Sequence, residues 1–154
     1  MAKISAGLLL YRFRGDGLEV FLVHPGGPFW ARKDDGAWSI PKGEAGPGED
    51  LLERARLELE EETGFTAAGD FRPLPPVKQA GGKIVHAWAV ESDCDASAIT
   101  SNSVTLEWPP RSGRRIEFPE VDRAQWFDTA IARRKINAGQ AGLLDHLERL
   151  LEGG

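Results

Sequence analysis

The stretch 50–63 constrains this chain more than any other. It is built from good helix formers, carries acidic residues in its first turn, and runs into Gly64, which suits the left-handed conformation that closes a helix. At about 100° per residue, Leu51, Leu52, Ala55 and Leu59 fall in one arc of about 100°, which predicts a stripe facing the core. Glu58, Glu61 and Glu62 fall in an adjoining arc of similar width, so the i, i+3, i+4 spacing points three carboxylates into one small volume. Like charges at that spacing destabilise a helix by about 0.2–0.5 kcal/mol per pair. The negative end of the helix dipole makes the cluster worse. A cation would relieve the repulsion, and oxygen-only ligands suit magnesium, manganese or calcium rather than zinc or copper. The competing reading is a solvated Glu-rich face with no metal at all.

Around this helix the patterning is that of strands. Residues 4–11 and 18–24 read as two strands joined by the turn at 14–17, a hairpin. A Gly- and Pro-rich stretch follows at 25–48, long enough that a functional role is expected of it. Further strands are expected at 65–67, 83–91, 103–108 and 123–127. Pro73, Pro75 and Pro76 mark one connection and Pro109-Pro110 another. Residues 128–136 and 139–152 read as closing helices, the second with an apolar stripe of Leu143, Leu144, Leu147, Leu150 and Leu151. The expected fold class is α/β, a mixed sheet covered by helices, with 1–154 forming one domain.

Composition narrows the function classes. The net charge of −5 argues against nonspecific nucleic-acid binding. It still permits an anionic substrate, because a divalent cation reverses the local potential. Cys94 is the only cysteine, so neither an internal disulfide nor a cysteine-clustered zinc site can form. No apolar run is long enough to span a membrane and no export signal is visible, so the expected compartment is the cytoplasm.

The segment preceding the helix, Trp38-Ser39-Ile40-Pro41-Lys42-Gly43-Glu44, places a glycine where backbone can approach a ligand and a lysine that can pair with phosphate. Gly43, Glu49, Glu58, Leu59, Glu61, Glu62, Gly64 and Phe65 together resemble the Nudix box, G-x5-E-x7-R-E-U-x-E-E-x-G-U, with U a bulky apolar residue. Eight of its nine specified positions match without a gap over 43–65. The departure is Leu57, where the family has an arginine that helps orient the box carboxylates. Arg54, four residues before Glu58 and on the acidic face, is placed to orient that carboxylate instead.

The resemblance implies a Nudix-like α/β/α sandwich and a magnesium-dependent hydrolase, with manganese as a substitute, that cleaves a phosphoanhydride bond. By resemblance, Glu58 and Glu62 are the leading metal ligands, Glu61 is the third, the Gly43 carbonyl is a backbone ligand, and Glu49 fixes the loop. Many members carry a further glutamate six residues before a tryptophan; Glu120 precedes Trp126 by that interval and is the candidate general base or extra metal ligand, with Glu117 in reserve. The competing reading of Glu120 is an exposed loop carboxylate beside Pro119. Trp38 with Pro41-Lys42-Gly43 looks like the branch that cleaves dinucleoside polyphosphates, so Lys42, Trp38 and Lys83 are candidate substrate contacts. Phe29, Trp30, Arg32 and Lys33 are candidates for base and phosphate contact, with packing the alternative for either aromatic. Lys78, Lys83 and His86 lie in or beside the strand 83–91 and are candidates for contact with distal phosphates, with a structural role the alternative for His86. The implied partner is a small nucleotide, with no membrane and no nucleic acid apart from an RNA 5′ end. Alternatives are a pyrophosphohydrolase of nucleoside triphosphates or RNA 5′ ends, and a catalytically weak nucleotide-binding module.

Overall fold

A computed structural model describes residues 3–15 and 17–153. The elements run β1 (Ile4–Arg14), β2 (Gly17–Pro25), β3 (Lys42–Glu44), α1 (Leu51–Thr63), β4 (Arg72–Lys78), β5 (Ile84–Glu91), β6 (Ser103–Glu107), β7 (Arg115–Pro119), β8 (Val121–Asp128), α2 (Thr129–Lys135) and α3 (Ala141–Gly153). The main sheet has the order β4-β5-β1-β2-β8, with β3 also paired to β1, while β6 and β7 form a separate two-stranded sheet. β1 and β5 are parallel and the other pairings antiparallel, so the sheet is mixed as expected.

Alternation along β1 and β2 builds the layers. Ala6, Leu8, Leu10, Phe21 and Val23 point to one face, where Ala55 and Leu59 of α1 complete a core. Leu9, Tyr11, Val20 and Leu22 point to the other, where Leu143, Leu144 and Leu147 of α3 and Ala132 of α2 close a second core. Helices thus cover both faces, giving the α/β/α sandwich. Among the described residues no helix is long and apolar enough to cross a membrane.

Several boundaries differ from the sequence reading. Residues 65–67 are not a strand: after the Gly64 cap (φ 80°) the chain runs irregularly, and Phe65 packs edge-on against Phe21. The prolines at 73, 75 and 76 lie inside β4 rather than in a connection. β4 is an edge strand, and its register with β5 shifts between Leu74 and Val77, so the missing N–H groups of Pro75 and Pro76 cost no ladder bond. β7 also emerges where no strand was expected. Asp16, in the turn expected between the first two strands, lies outside the described residues.

The stretch 25–48 is largely ordered. β2 pairs with the C-terminal half of β1, from Tyr11 onward. At the other end the strands part, and the chain at 38–44 fills the wedge: Ser39 exchanges backbone bonds with Val23, and β3 pairs with Ser5 to Gly7. Gly7 is required here, because a Cβ would sit 2.5 Å from the Pro41 carbonyl oxygen.

The α3 seam supplies a check on this packing. Leu147 is fully buried, so Leu147→Ala should lower the unfolding free energy by about 2–5 kcal/mol, measured by urea unfolding.

Candidate active site

The wedge between β1 and β2 delivers β3 against the acidic face of α1. Asp50 caps α1 by accepting from the Glu53 N–H (3.1 Å). Glu62 projects into the same arc as Leu51 and Ala55, which is why it is buried at 5% exposure; Glu58 is buried as well. Glu120 is the single residue between β7 and β8, where the chain leaves the small sheet for the large one. Its N–H donates to the Asn102 carbonyl and its carbonyl accepts from the Gly26 N–H, so its position is pinned by main chain on both sides. Carboxylate oxygens of Glu58, Glu62 and Glu120 all lie within 4.8 Å of one another.

Gly43 is shaped by this cluster. A Cβ on it would lie 2.0 Å from Glu58 Oε1, so only glycine lets the carboxylate rest against the β3 backbone. Arg54, one turn before Glu58, pairs with two of the box carboxylates. Its guanidinium donates to Glu58 Oε2 (2.9 Å) and to Glu49 Oε2 (2.6 Å), and Glu49 in turn accepts from the Gly46 N–H. Leu57 itself is exposed.

The electrostatics follow from burial. Desolvation, then the charges of Glu120 and Glu58, push the Glu62 carboxyl up to about 9, against the opposing influence of Lys42. Burial also raises Glu58, which Arg54 partly offsets and Glu61 and Glu120 reinforce. Lys42 is held below the ordinary lysine value by its own burial and by Lys83, opposed by Glu62 and Glu58. Lys42 therefore stands beside Glu62 and Glu58, with Lys83 close to Lys42. An oxygen-only donor set this close, two of its members buried and the third partly so, fits a hard divalent cation.

Other candidates fall elsewhere. Glu61 is half-buried, close enough to act on Glu58 but outside the trio, and Glu117 is exposed. Trp38 is not available to a substrate. It is 2% exposed, packs edge-on against His24 and Phe127, and donates from Nε1 to Asp34 (2.8 Å). The bulk of its ring fills core space that the preceding wedge would otherwise leave empty. Lys78 is exposed, and His86 on β5 is opposite Ala6. Sequence reasoning passed over Gly7, whose signal was a glycine inside a strand pattern, where close backbone approach is the usual reason.

A family model described as NUDIX domain matches residues 1–147. The chain belongs to the Nudix family of pyrophosphohydrolases. This Nudix hydrolase is similar in structure to the NUDIX domain of Shewanella oneidensis NrtR, solved in complex with ADP ribose. The identity is 16% over 98% of this chain and 89% of that one, with a TM-score of 0.68. It is also similar to a C. elegans Ap4A hydrolase in a binary complex, at 23% identity over 99% of this chain and 100% of that one, TM-score 0.64. A mutT/nudix family protein from Listeria innocua aligns at 16% identity over 98% and 94% of the two chains, TM-score 0.64. At these identities the likeness establishes the fold of the Nudix hydrolase.

The raised Glu62 carboxyl carries a stability consequence. Between the ordinary value of 4.5 and about 9, the folded chain keeps a proton that the unfolded chain has released, so metal-free stability declines as pH rises through that window. In the presence of a chelator, the Tm of the parent should fall across it. Glu62→Gln should flatten the slope and raise the Tm at the alkaline end by about 2–4 °C per kcal/mol recovered, read by calorimetry.

Proposed function

We propose that this Nudix hydrolase is a magnesium-dependent enzyme, with manganese as a substitute, that acts in the cytoplasm on a nucleoside diphosphate-linked compound, in particular a dinucleoside polyphosphate. The observation that carries the reading is the packing of the Glu58, Glu62 and Glu120 carboxylates within 4.8 Å, with Lys42 close to Glu62 and Glu58. The narrower substrate draws support from the fold shared with an Ap4A hydrolase and from the Trp38 to Gly43 segment, whose likeness to that branch outlasts the burial of Trp38.

In this reading Glu58, Glu62 and Glu120 hold the ion, the Gly43 carbonyl is a backbone ligand, and Glu61 is the flanking reserve. Bound magnesium would neutralise phosphate oxygens and polarise the attacking water. Glu120 lies at the open edge of the trio and accepts the proton of that water. Lys42 and Lys83 pair with phosphate oxygens, and the partial desolvation of Lys42 strengthens that contact. Arg54 holds Glu58 and Glu49 in register, so the loss of the box arginine at position 57 is compensated from one turn earlier. Attack by water on phosphorus requires no covalent enzyme intermediate.

A panel of nucleotides with magnesium tests the assignment. Dinucleoside polyphosphates should be cleaved asymmetrically, and Glu62→Gln should lower kcat by at least about 100-fold with folding intact. Release of pyrophosphate from nucleoside triphosphates or an RNA 5′ end would select the second substrate class. Binding without magnesium-stimulated hydrolysis would select a nucleotide-binding module. Separately, Arg54→Leu should raise the magnesium concentration for half-maximal activity by about ten-fold or more, while Leu57→Arg should leave it little changed.

A further inference from the structure

A cleft shares Glu120 with the carboxylate trio, and its apolar walls are not used in the chemistry above. It has a volume of about 320 Å³ and lies between the chain at 25–30 and the β6–β7 hairpin. Phe29 and Trp30 line one wall and Leu106 and Phe118 belong to the other, while Glu120 borders the cleft as well as the trio.

The local sequence explains why the walls stand so close. Gly26 donates to the Glu120 carbonyl at 2.9 Å, and a Cβ on Gly26 would lie 2.0 Å from the Pro119 carbonyl oxygen. Gly27 has φ +93°, and a Cβ there would meet the Phe118 ring at 2.6 Å. Only glycines let the chain lie flush against Phe118 to Glu120. Buried His24 fastens the far end of the loop: Nε2–H donates to the Lys33 carbonyl (2.6 Å), and Nδ1 lies 2.9 Å from Asp122 on β8. Phe29 and Trp30 meet edge to face with centroids 5.0 Å apart, and the Lys33 ammonium sits 3.9 Å from the Phe29 centroid.

Phe29 is 53% exposed, and Val104 and Leu106 are also exposed. Scattered exposed apolar side chains need no explanation. These converge on one cleft that shares Glu120 with the charged site, which is the make-up of a ligand pocket. We propose that the cleft receives the base of the nucleotide whose phosphates lie at the Glu58, Glu62 and Glu120 trio, with Phe29 and Trp30 as the stacking platform. The proposal rests on the functional reading above and extends it to the base. The volume lies at the low end of the pocket range, about 300–1,000 Å³, enough for one ring system. A second copy of the chain or a folded partner would need a far broader face. Stacking uses the π face common to all bases, so the cleft should discriminate weakly among them.

Two-dimensional NMR of isotope-labelled protein, titrated separately with adenosine 5′-monophosphate and ribose 5-phosphate, tests the site. The nucleotide should move the Trp30 indole and Leu106 amide signals, and ribose 5-phosphate should leave both in place. Phe29→Ala, at an exposed position, should raise the Kd for the nucleotide at least about five-fold, and Leu106→Glu on the opposite wall should weaken it in the same direction. Shifts that avoid the cleft, no shifts at all, equal shifts with ribose 5-phosphate, or an unchanged Kd in both variants would overturn the proposal. Hydrolysis is not read in this titration. Base binding here with no hydrolysis of any nucleotide in the magnesium panel would sink the substrate reading and leave the cleft standing; hydrolysis in that panel with a silent cleft would do the reverse.

Discussion

Like charges brought out of water onto adjacent carboxylates govern the rest of this structure. Glu58 and Glu62 are buried, and with Glu120 their oxygens crowd within 4.8 Å. Left alone, such an arrangement is costly, because a low-dielectric surrounding magnifies repulsion and penalises each ionised group. The neighbours answer that cost in different ways. Arg54 pairs with Glu58, Lys42 opposes the rise of Glu62, and Glu62 is driven toward its protonated form. Each of these relieves the clash at a cost of its own, so two apolar cores on opposite faces of the sheet carry the stability that the site subtracts. Trading stability for function in this way is the usual arrangement at a working site.

The same constraint explains the parting of β1 and β2. If the hairpin stayed paired to its end, the segment at 38–44 would have no backbone partners and Gly43 could not reach α1. Opening the hairpin gives Ser39 and β3 places in the ladder and leaves room for Trp38 to pack behind them. Glycine is needed on both sides of the contact, at Gly7 facing Pro41 and at Gly43 facing Glu58. The break between β7 and β8 plays the matching part from the other side. A single residue, Glu120, turns the chain from one sheet to the other and is held there by main-chain bonds to Asn102 and Gly26.

Legibility in the sequence tracked how local each cause was. Asp50, read as the first helical residue, is the cap, whereas the helix through Thr63 and the left-handed Gly64 depend on neighbours within a turn and could be read directly. So could the pairing of Arg54 with Glu58, a matter of helical spacing. β4 could not, because prolines are tolerated there only by virtue of an edge position and a register shift that the linear order does not reveal. Three-residue β3 exists only because β1 offers it a partner. Trp38, read as a substrate contact, became core once the wedge closed around it, since burying a large aromatic surface outweighs leaving it exposed.

By itself the sequence determined the helix, the spacing that gathers its carboxylates, the first two apolar strands, and the family whose box those residues match. These are consequences of fixed backbone periods, which hold wherever the chain lies. Only the tertiary structure decided that Glu120 completes the trio while Glu61 does not, and that Arg54 spans Glu49 and Glu58 in the absence of a box arginine. The aromatic cleft beside them was likewise settled in three dimensions, by the close approach of Gly26 and Gly27 to Phe118 to Glu120. Contacts between residues this distant in the chain depend on how the sheet brings its strands and loops together, and no local period encodes that distance.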